Sequence, residues 1–273
     1  MLERMEEQAE AVIMTLCLLG KNNMCLTTDE INIMRETITI LRPFEKITTE
    51  MSADLHVSIS RVIFNIRTLR ENVMKMSGES ISSNSGKRLL EELNKKMTKR
   101  FLHYESNFPL AAATLLDPRL KKIPFVDDEQ ASTQQARLVS EMKSNATAEA
   151  SGGSTSSAAG TTEEEDDDVW SWFSKKAKAS ESHRTQFTEA TVETDSYMKV
   201  KLIGMKENPL AWWKEHAAGY PLLAKQAKKY LCAPATSVPA ERLYSKAGEL
   251  ISEKRNRLKD KHVNMYLFVN KNL

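Results

Sequence analysis

Glu241 lies in Pro239-Ala240-Glu241-Arg242-Leu243-Tyr244-Ser245-Lys246-Ala247-Gly248, where Ser237 and Pro239 introduce a helix. A carboxylate in a first helical turn faces backbone N–H groups that have no partner inside the helix. Downstream, Lys254, Arg255 and Arg257, with Lys259 and Lys261, make a basic loop. Clustered Lys and Arg give salt-dependent, sequence-blind attraction to phosphate. The competing reading is a solvated connection between two helices, and it is favoured because no aromatic residues interleave for base stacking. Trp212 and Trp213 follow a helix start and suit core or interface anchors better than a base-reading platform. His56, His103, His183, His216 and His262 are dispersed without metal-ligand spacing, so the residues point to no metal and no cofactor.

The elements that must position these groups are helices. Leu2, Met5, Ala9, Val12, Leu16 and Leu19 recur at spacings of three and four, which predicts one helical stripe. Thr27 and Glu30 have capping-box spacing and open a second helix with Ile31, Met34, Ile38 and Leu41 inward. Pro43 is expected to bend or restart it. The stripe resumes at Phe44, Ile47, Met51 and Leu55, then Ile59, Val62, Ile66, Leu69 and Val73, and after a polar break Leu89, Leu93, Met97, Phe101 and Tyr104. Toward the C-terminus, Asn208-Pro209 and Tyr220-Pro221 each read as a helix start, and Leu243, Tyr244, Ala247 and Leu250 as the inward side of the Glu241 helix. Val263, Tyr266, Leu267 and Asn270 mark the last helix.

Between these helical regions, residues 126–168 carry eleven acids and two bases, and Ser151 to Thr162 has no apolar anchor. Such a segment buries too little to offset its chain entropy, so it is expected to be disordered, with Ala131 to Met142 a marginal helix at most. Its acidic run Glu163–Asp168 joins Val169, Trp170, Trp172 and Phe173. Two readings stand open: a docking motif for a basic partner, or a solubilising linker whose aromatic end folds back. The predicted organisation is a helical bundle over 1–125, an acidic linker over 126–168 and a helical module over 169–273.

Composition limits the function classes. With 39 Lys and Arg against 37 Asp and Glu, the net charge of +2 sets up no global field for nucleic acid. Cys17, Cys25 and Cys232 are odd in number and scattered, which fits free thiols better than a disulfide frame. The apolar run Ala11 to Gly20 is too short to span a bilayer and lacks a basic lead-in, so no membrane partner is expected.

Several segments together resemble the C-terminal half of hAT-superfamily transposases and their zinc-finger BED relatives. They are Leu41-Arg42-Pro43-Phe44-Glu45, Leu116-Asp117-Pro118-Arg119-Leu120-Lys121, Asn208-Pro209-Leu210-Ala211-Trp212-Trp213, Tyr220-Pro221-Leu222-Leu223-Ala224 and the Glu241 stretch. Their order and spacing reach nearly the whole chain outside the acidic linker. The resemblance implies a mainly α fold: the helical insertion of an interrupted RNase H-like fold, followed by a helical dimerisation module. It makes Glu241 the counterpart of the last carboxylate in an Asp-Asp-Glu metal site. The family's two Asp-bearing strands precede the insertion, and this sequence opens within it; a lone Glu cannot hold two hard cations across a scissile phosphate. Glu241 is therefore expected to be a relict, and the chain no enzyme by itself. No Cys-x2-Cys or His-x3-5-His pair of a BED finger occurs.

The function implied is protein dimerisation in a nuclear, transposase-derived protein. The partner is a second copy or a longer paralogue, and DNA is bound weakly or through an N-terminal finger elsewhere. The alternative is a part of an active DNA transposase or of a BED-finger transcription regulator. Trp212, Trp213, Leu243, Tyr244, Tyr266, Leu267 and Phe268 are the expected dimerisation residues, being too many large apolar groups for short helices to bury on each other.

Overall fold

The structure is a computed structural model that describes residues 1–53, 57–79, 81–151, 188–250 and 259–272. Every regular element among the described residues is helical, so the fold is mainly α. The helices are α1 (Leu2–Glu7), α2 (Ala9–Leu18), α3 (Thr28–Met51), α4 (Val62–Glu79), α5 (Asn84–Arg100), α6 (Phe108–Leu115), α7 (Asp128–Ser151), α8 (188–199), α9 (Pro209–His216), α10 (Pro221–Leu231), α11 (Val238–Leu250) and α12 (Asp260–Asn272). They divide into two compact units that do not follow chain order. The first comprises Met1–Ser58, Asn65–Leu102 and Pro234–Leu273, the second Ile59–Phe64 and His103–Ala233.

In the first unit, the N-terminal stripe is two helices rather than one, because the backbone leaves helical geometry at Gln8 (φ −103°, ψ 6°). Helix α3 starts with the capping box the sequence predicts: the Thr27 hydroxyl accepts from the Glu30 N–H and the Glu30 carboxylate from the Thr27 N–H. The helix does not restart at Pro43, and α3 runs on through it to Met51. A mid-helix proline costs about 3 kcal/mol through its missing N–H and its ring. Burial offsets that cost, since Ile40 before the proline and Phe44 and Ile47 after it share one cluster with Leu69, Val73, Leu90 and Met97.

Glu36 of α3 receives the start of α5. Its carboxylate accepts from the backbone N–H groups of Ser82 (2.8 Å) and Ser83 (3.1 Å) and from both hydroxyls. The Ser83 hydroxyl bond, helped by the backbone donors and opposed by burial, lowers this carboxyl from 4.5 to about 2. A depressed carboxylate contributes stability in full above its unfolded value and loses it as pH falls from about 4.5 toward 2. Glu36→Gln should therefore destabilise the chain at neutral pH and lose that difference near pH 2, as read by urea denaturation across the pH range.

The second unit is organised around the turn after α6. Asp117 is fully buried and takes four hydrogen bonds: from Arg119 N–H (3.0 Å), Nε (2.9 Å) and a terminal guanidinium nitrogen (2.6 Å), and from the Ser60 hydroxyl (2.6 Å). Lys121 adopts φ +48° and reaches the end of α8, where its ammonium donates to the carbonyls of Tyr197 (2.6 Å) and Val200. A cation there satisfies orphan carbonyls at the negative end of the helix. Burial draws the Lys121 ammonium down to about 8.

Residues 128–151 are helical where the sequence reading placed the start of a disordered linker, and Ala131, Leu138, Val139 and Met142 are buried. Glu141 on this helix accepts from the Tyr230 hydroxyl (2.7 Å) and pairs with Lys229. The acidic composition hid this buried stripe. The rest of the expected linker, with Glu163–Asp168, lies outside the described residues, as do Trp170 and Trp172 just beyond it.

Candidate dimerisation surface

Helices α11 and α12 lie side by side in the first unit and enclose a groove lined by Leu243, Tyr244, Ala247, Val263, Leu267 and Phe268. Lys246 Nζ donates to Asn270 Oδ1 (3.1 Å) across the pair. The start of α11 is fastened by the Arg242 guanidinium, which donates to the Ser52 carbonyl (3.1 Å) just past α3, and by the Ala235 N–H on the Ser58 hydroxyl (3.0 Å). Val263 is buried and Leu267 half-buried, four residues apart on the side of α12 turned toward α11.

Away from that groove α12 is also apolar, at Met265 and Val269, and Phe268 stands at the groove's exposed edge. Met265, Phe268 and Val269 follow i, i+3, i+4 spacing and are exposed, as is Tyr266; Phe268 is 70% exposed and Tyr244 on α11 75%. Tyr244, expected inward, points outward because Leu243 holds the inward position and neighbouring helical residues sit about 100° apart. Sequence reasoning missed Met265 and Val269; their spacing about Phe268 was the available signal.

Trp212 and Trp213 belong elsewhere. Both are buried in the second unit around Tyr197, which is fully enclosed. Trp213 lies 5.2 Å from the Tyr197 ring and donates its indole N–H to the Leu116 carbonyl (2.8 Å). Trp212 stacks on His216 at 4.1 Å and meets Trp213 edge-on at 5.0 Å. Burial, and then the nearby Asp117 and Tyr220 groups, raise the Tyr197 phenol well above its usual value. These indoles are core anchors of their own unit. The surface expected from sequence thus separates into a buried indole pair and an exposed α11–α12 face.

Glu241 is exposed in the first turn of α11, and the Ser237 hydroxyl donates to its carboxylate. No group of three His, Cys, Asp or Glu that could hold a metal occurs among the described residues. The geometry of Glu241 is that of a carboxylate serving a helix N-terminus. Lys254, Arg255 and Arg257 lie outside the described residues. No described helix is long and apolar enough to cross a membrane.

Comparison with known proteins bears on the same region. Over 277 residues the chain is 28% identical to Zinc finger BED domain-containing protein 4 of Homo sapiens, an alignment covering all of this chain and 23% of that protein. The chain therefore spans about a quarter of the length of the curated relative it matches. Residues 193–273 match the family model described as the hAT family C-terminal dimerisation region. The matched stretch begins in α8, later than the boundary of 169 expected from sequence, and contributes α9 and α10 to one compact unit and α11 and α12 to the other. By this match the chain carries a hAT family C-terminal dimerisation region over residues 193–273.

Proposed function

We propose that the chain is a protein-association module that pairs through the α11–α12 face with a second copy of itself or with the same face of a longer relative. The observation that carries this reading is the outward apolar stripe of α12, Met265, Phe268 and Val269, within a region matched to a dimerisation family. A helix with apolar side chains on opposite sides requires cover on both, and α11 supplies one. A two-fold contact brings the same patch against itself, so a single helix face serves both partners.

The remaining parts of the reading follow from the resemblance. The helices before residue 126 correspond to the insertion of an RNase H-like fold, and the protein works in the nucleus. The module performs no strand transfer alone, with Glu241 kept as a helix-start carboxylate. Lys254, Arg255 and Arg257 add at most weak phosphate contact. The match to a quarter of a zinc finger BED protein favours a second setting, in which the face joins two longer chains that carry their own fingers.

Sedimentation velocity tests the association. The wild type should sediment as a dimer at micromolar concentration, and Tyr244→Asp with Phe268→Asp should be monomeric with its helical circular dichroism intact. A wild type monomeric at high concentration rejects self-pairing. Leu267 is left unaltered, because it is half-buried in the groove between α11 and α12, whereas Tyr244 and Phe268 stand at its exposed edge.

A further inference from the structure

Cys17 and Cys25 are eight residues apart in sequence, yet their Sγ atoms lie 3.8 Å from each other. The backbone builds this approach. Gly20 takes φ +69° just past α2, the Lys21 N–H returns to the Leu16 carbonyl (2.9 Å), and the Gly20 N–H returns to the Cys17 carbonyl (3.0 Å). These paired bonds are a Schellman motif, for which a left-handed glycine is the natural residue. A 3-10 turn over Asn22–Met24 follows, closed by the Cys25 N–H on the Asn22 carbonyl (3.2 Å). Cys25 then leaves in extended geometry toward the Thr27 capping box. The chain doubles back on α2 with one thiol on each arm. Cys17 is exposed and Cys25 half-buried, and Cys232 is an exposed thiol elsewhere.

We propose that Cys17 and Cys25 form a redox-active dithiol that closes to an intramolecular disulfide by exchange with a small dialkyl disulfide such as oxidised glutathione. The Cys17 thiol, being the exposed one, loses its proton and its thiolate attacks one sulfur of the dialkyl disulfide. The S–S bond of the oxidant breaks, and one thiolate leaves and takes up a proton. The Cys25 thiolate then attacks the Cys17 sulfur of the mixed disulfide, forming the Sγ–Sγ bond and expelling the second thiolate, which is also protonated. Two protein thiols are oxidised and one dialkyl disulfide is reduced to two thiols. Closure shortens the separation from 3.8 Å to about 2.05 Å, within reach of side-chain rotation at Cys25, which no helix constrains. Burial, and then the neighbouring Cys17, raise the Cys25 thiol above its usual value, which keeps it protonated and leaves the first attack to the exposed Cys17. The closed bond ties the last turn of α2 to the entry of α3 and fixes the hairpin that displays Met14, Leu18 and Leu19 to solvent. Reducing conditions reopen it.

The test uses the full chain, oxidised glutathione, alkylation of remaining thiols, and trypsin. Cleavage at Arg4, Lys21 and Arg35 separates the two cysteines, so the bond appears as peptide 5–21 joined to peptide 22–35 at a mass about 2 Da below their sum. The joined peptides are expected from the monomer fraction. Cys25→Ser should accumulate glutathione on Cys17 at least about ten-fold over wild type, because the second step is blocked. Cys17→Ser should leave Cys25 alkylatable, and Cys232 should behave as an unbridged thiol throughout. Glutathione retained on both Cys17 and Cys25 in the wild type, or bonds only between copies, overturns the proposal. Neither result touches the α11–α12 pairing.

Discussion

Asp117→Ala is expected to destabilise the chain by about 3–5 kcal/mol, the cost of breaking a buried ion pair by removing one partner. The Arg119 guanidinium is left with a side-chain exposure of 6% and no carboxylate, and the Ser60 hydroxyl loses its acceptor across 57 residues of sequence. A large share of the loss is the desolvation of the stranded charge, which separates this prediction from a simple count of lost bonds. A double variant, Asp117→Leu with Arg119→Met, should recover part of the stability, because no charge then remains buried. Recovery should be incomplete, since Asp117 Oδ1 also accepts the Arg119 backbone N–H and so shapes the turn that carries Lys121 to the end of α8. Urea denaturation gives the magnitudes. Hydrogen exchange should lose protection first at residues 108–125 and 188–200; a fall of less than about 1 kcal/mol would remove the turn from the centre of its unit.

What could be read in the sequence depended on whether the deciding contact was local. The Thr27–Glu30 capping box and the Asn208 cap, whose side chain accepts from the Leu210 N–H (2.9 Å), are settled by residues within one turn, and both were legible. The continuation of α3 through Pro43 was not, because the compensation comes from α4 and α5. In residues 128–151 net charge spoke for disorder, while Ala131, Leu138, Val139 and Met142, spaced seven, one and three apart, carried a weaker helical signal that burial makes decisive. For the candidate surface, counting large apolar residues showed that too many existed for the last helices to hide. It could not divide them, because Trp212 and Trp213 differ from Tyr244 and Phe268 only in what distant segments bring against them. Tyr197 and Leu116 cover the indoles, and neither lies within a turn of α9. The cysteine pair was likewise invisible, since a spacing of eight means contact only when a tight turn intervenes.

Trp213→Ala should cost about 3–5 kcal/mol, in the range of large aromatic truncations from a close-packed core. The indole makes three kinds of contact at once: edge-on packing with Trp212 at 5.0 Å, tilted packing with Tyr197 at 5.2 Å, and the hydrogen bond to the Leu116 carbonyl at 2.8 Å. Its removal leaves a cavity beside the fully buried Tyr197 and an acceptor without its donor. Trp213→Phe separates these effects. It keeps most of the ring contact and loses the donor, so it should cost about 1–3 kcal/mol, the penalty of an unsatisfied buried polar group. The pair of variants also discriminates between the two places an indole could serve. A Trp213 that anchored one subunit to another would, on truncation, release monomers of undiminished stability. Buried against Tyr197, it should do the reverse: Trp213→Phe keeps the sedimentation coefficient of the wild type while its urea midpoint falls. Tyr244→Asp with Phe268→Asp should move sedimentation and leave the midpoint of the isolated protomer nearly unchanged. Dissociation of Trp213→Phe with an unshifted midpoint would return the indoles to the interface and remove them from the core.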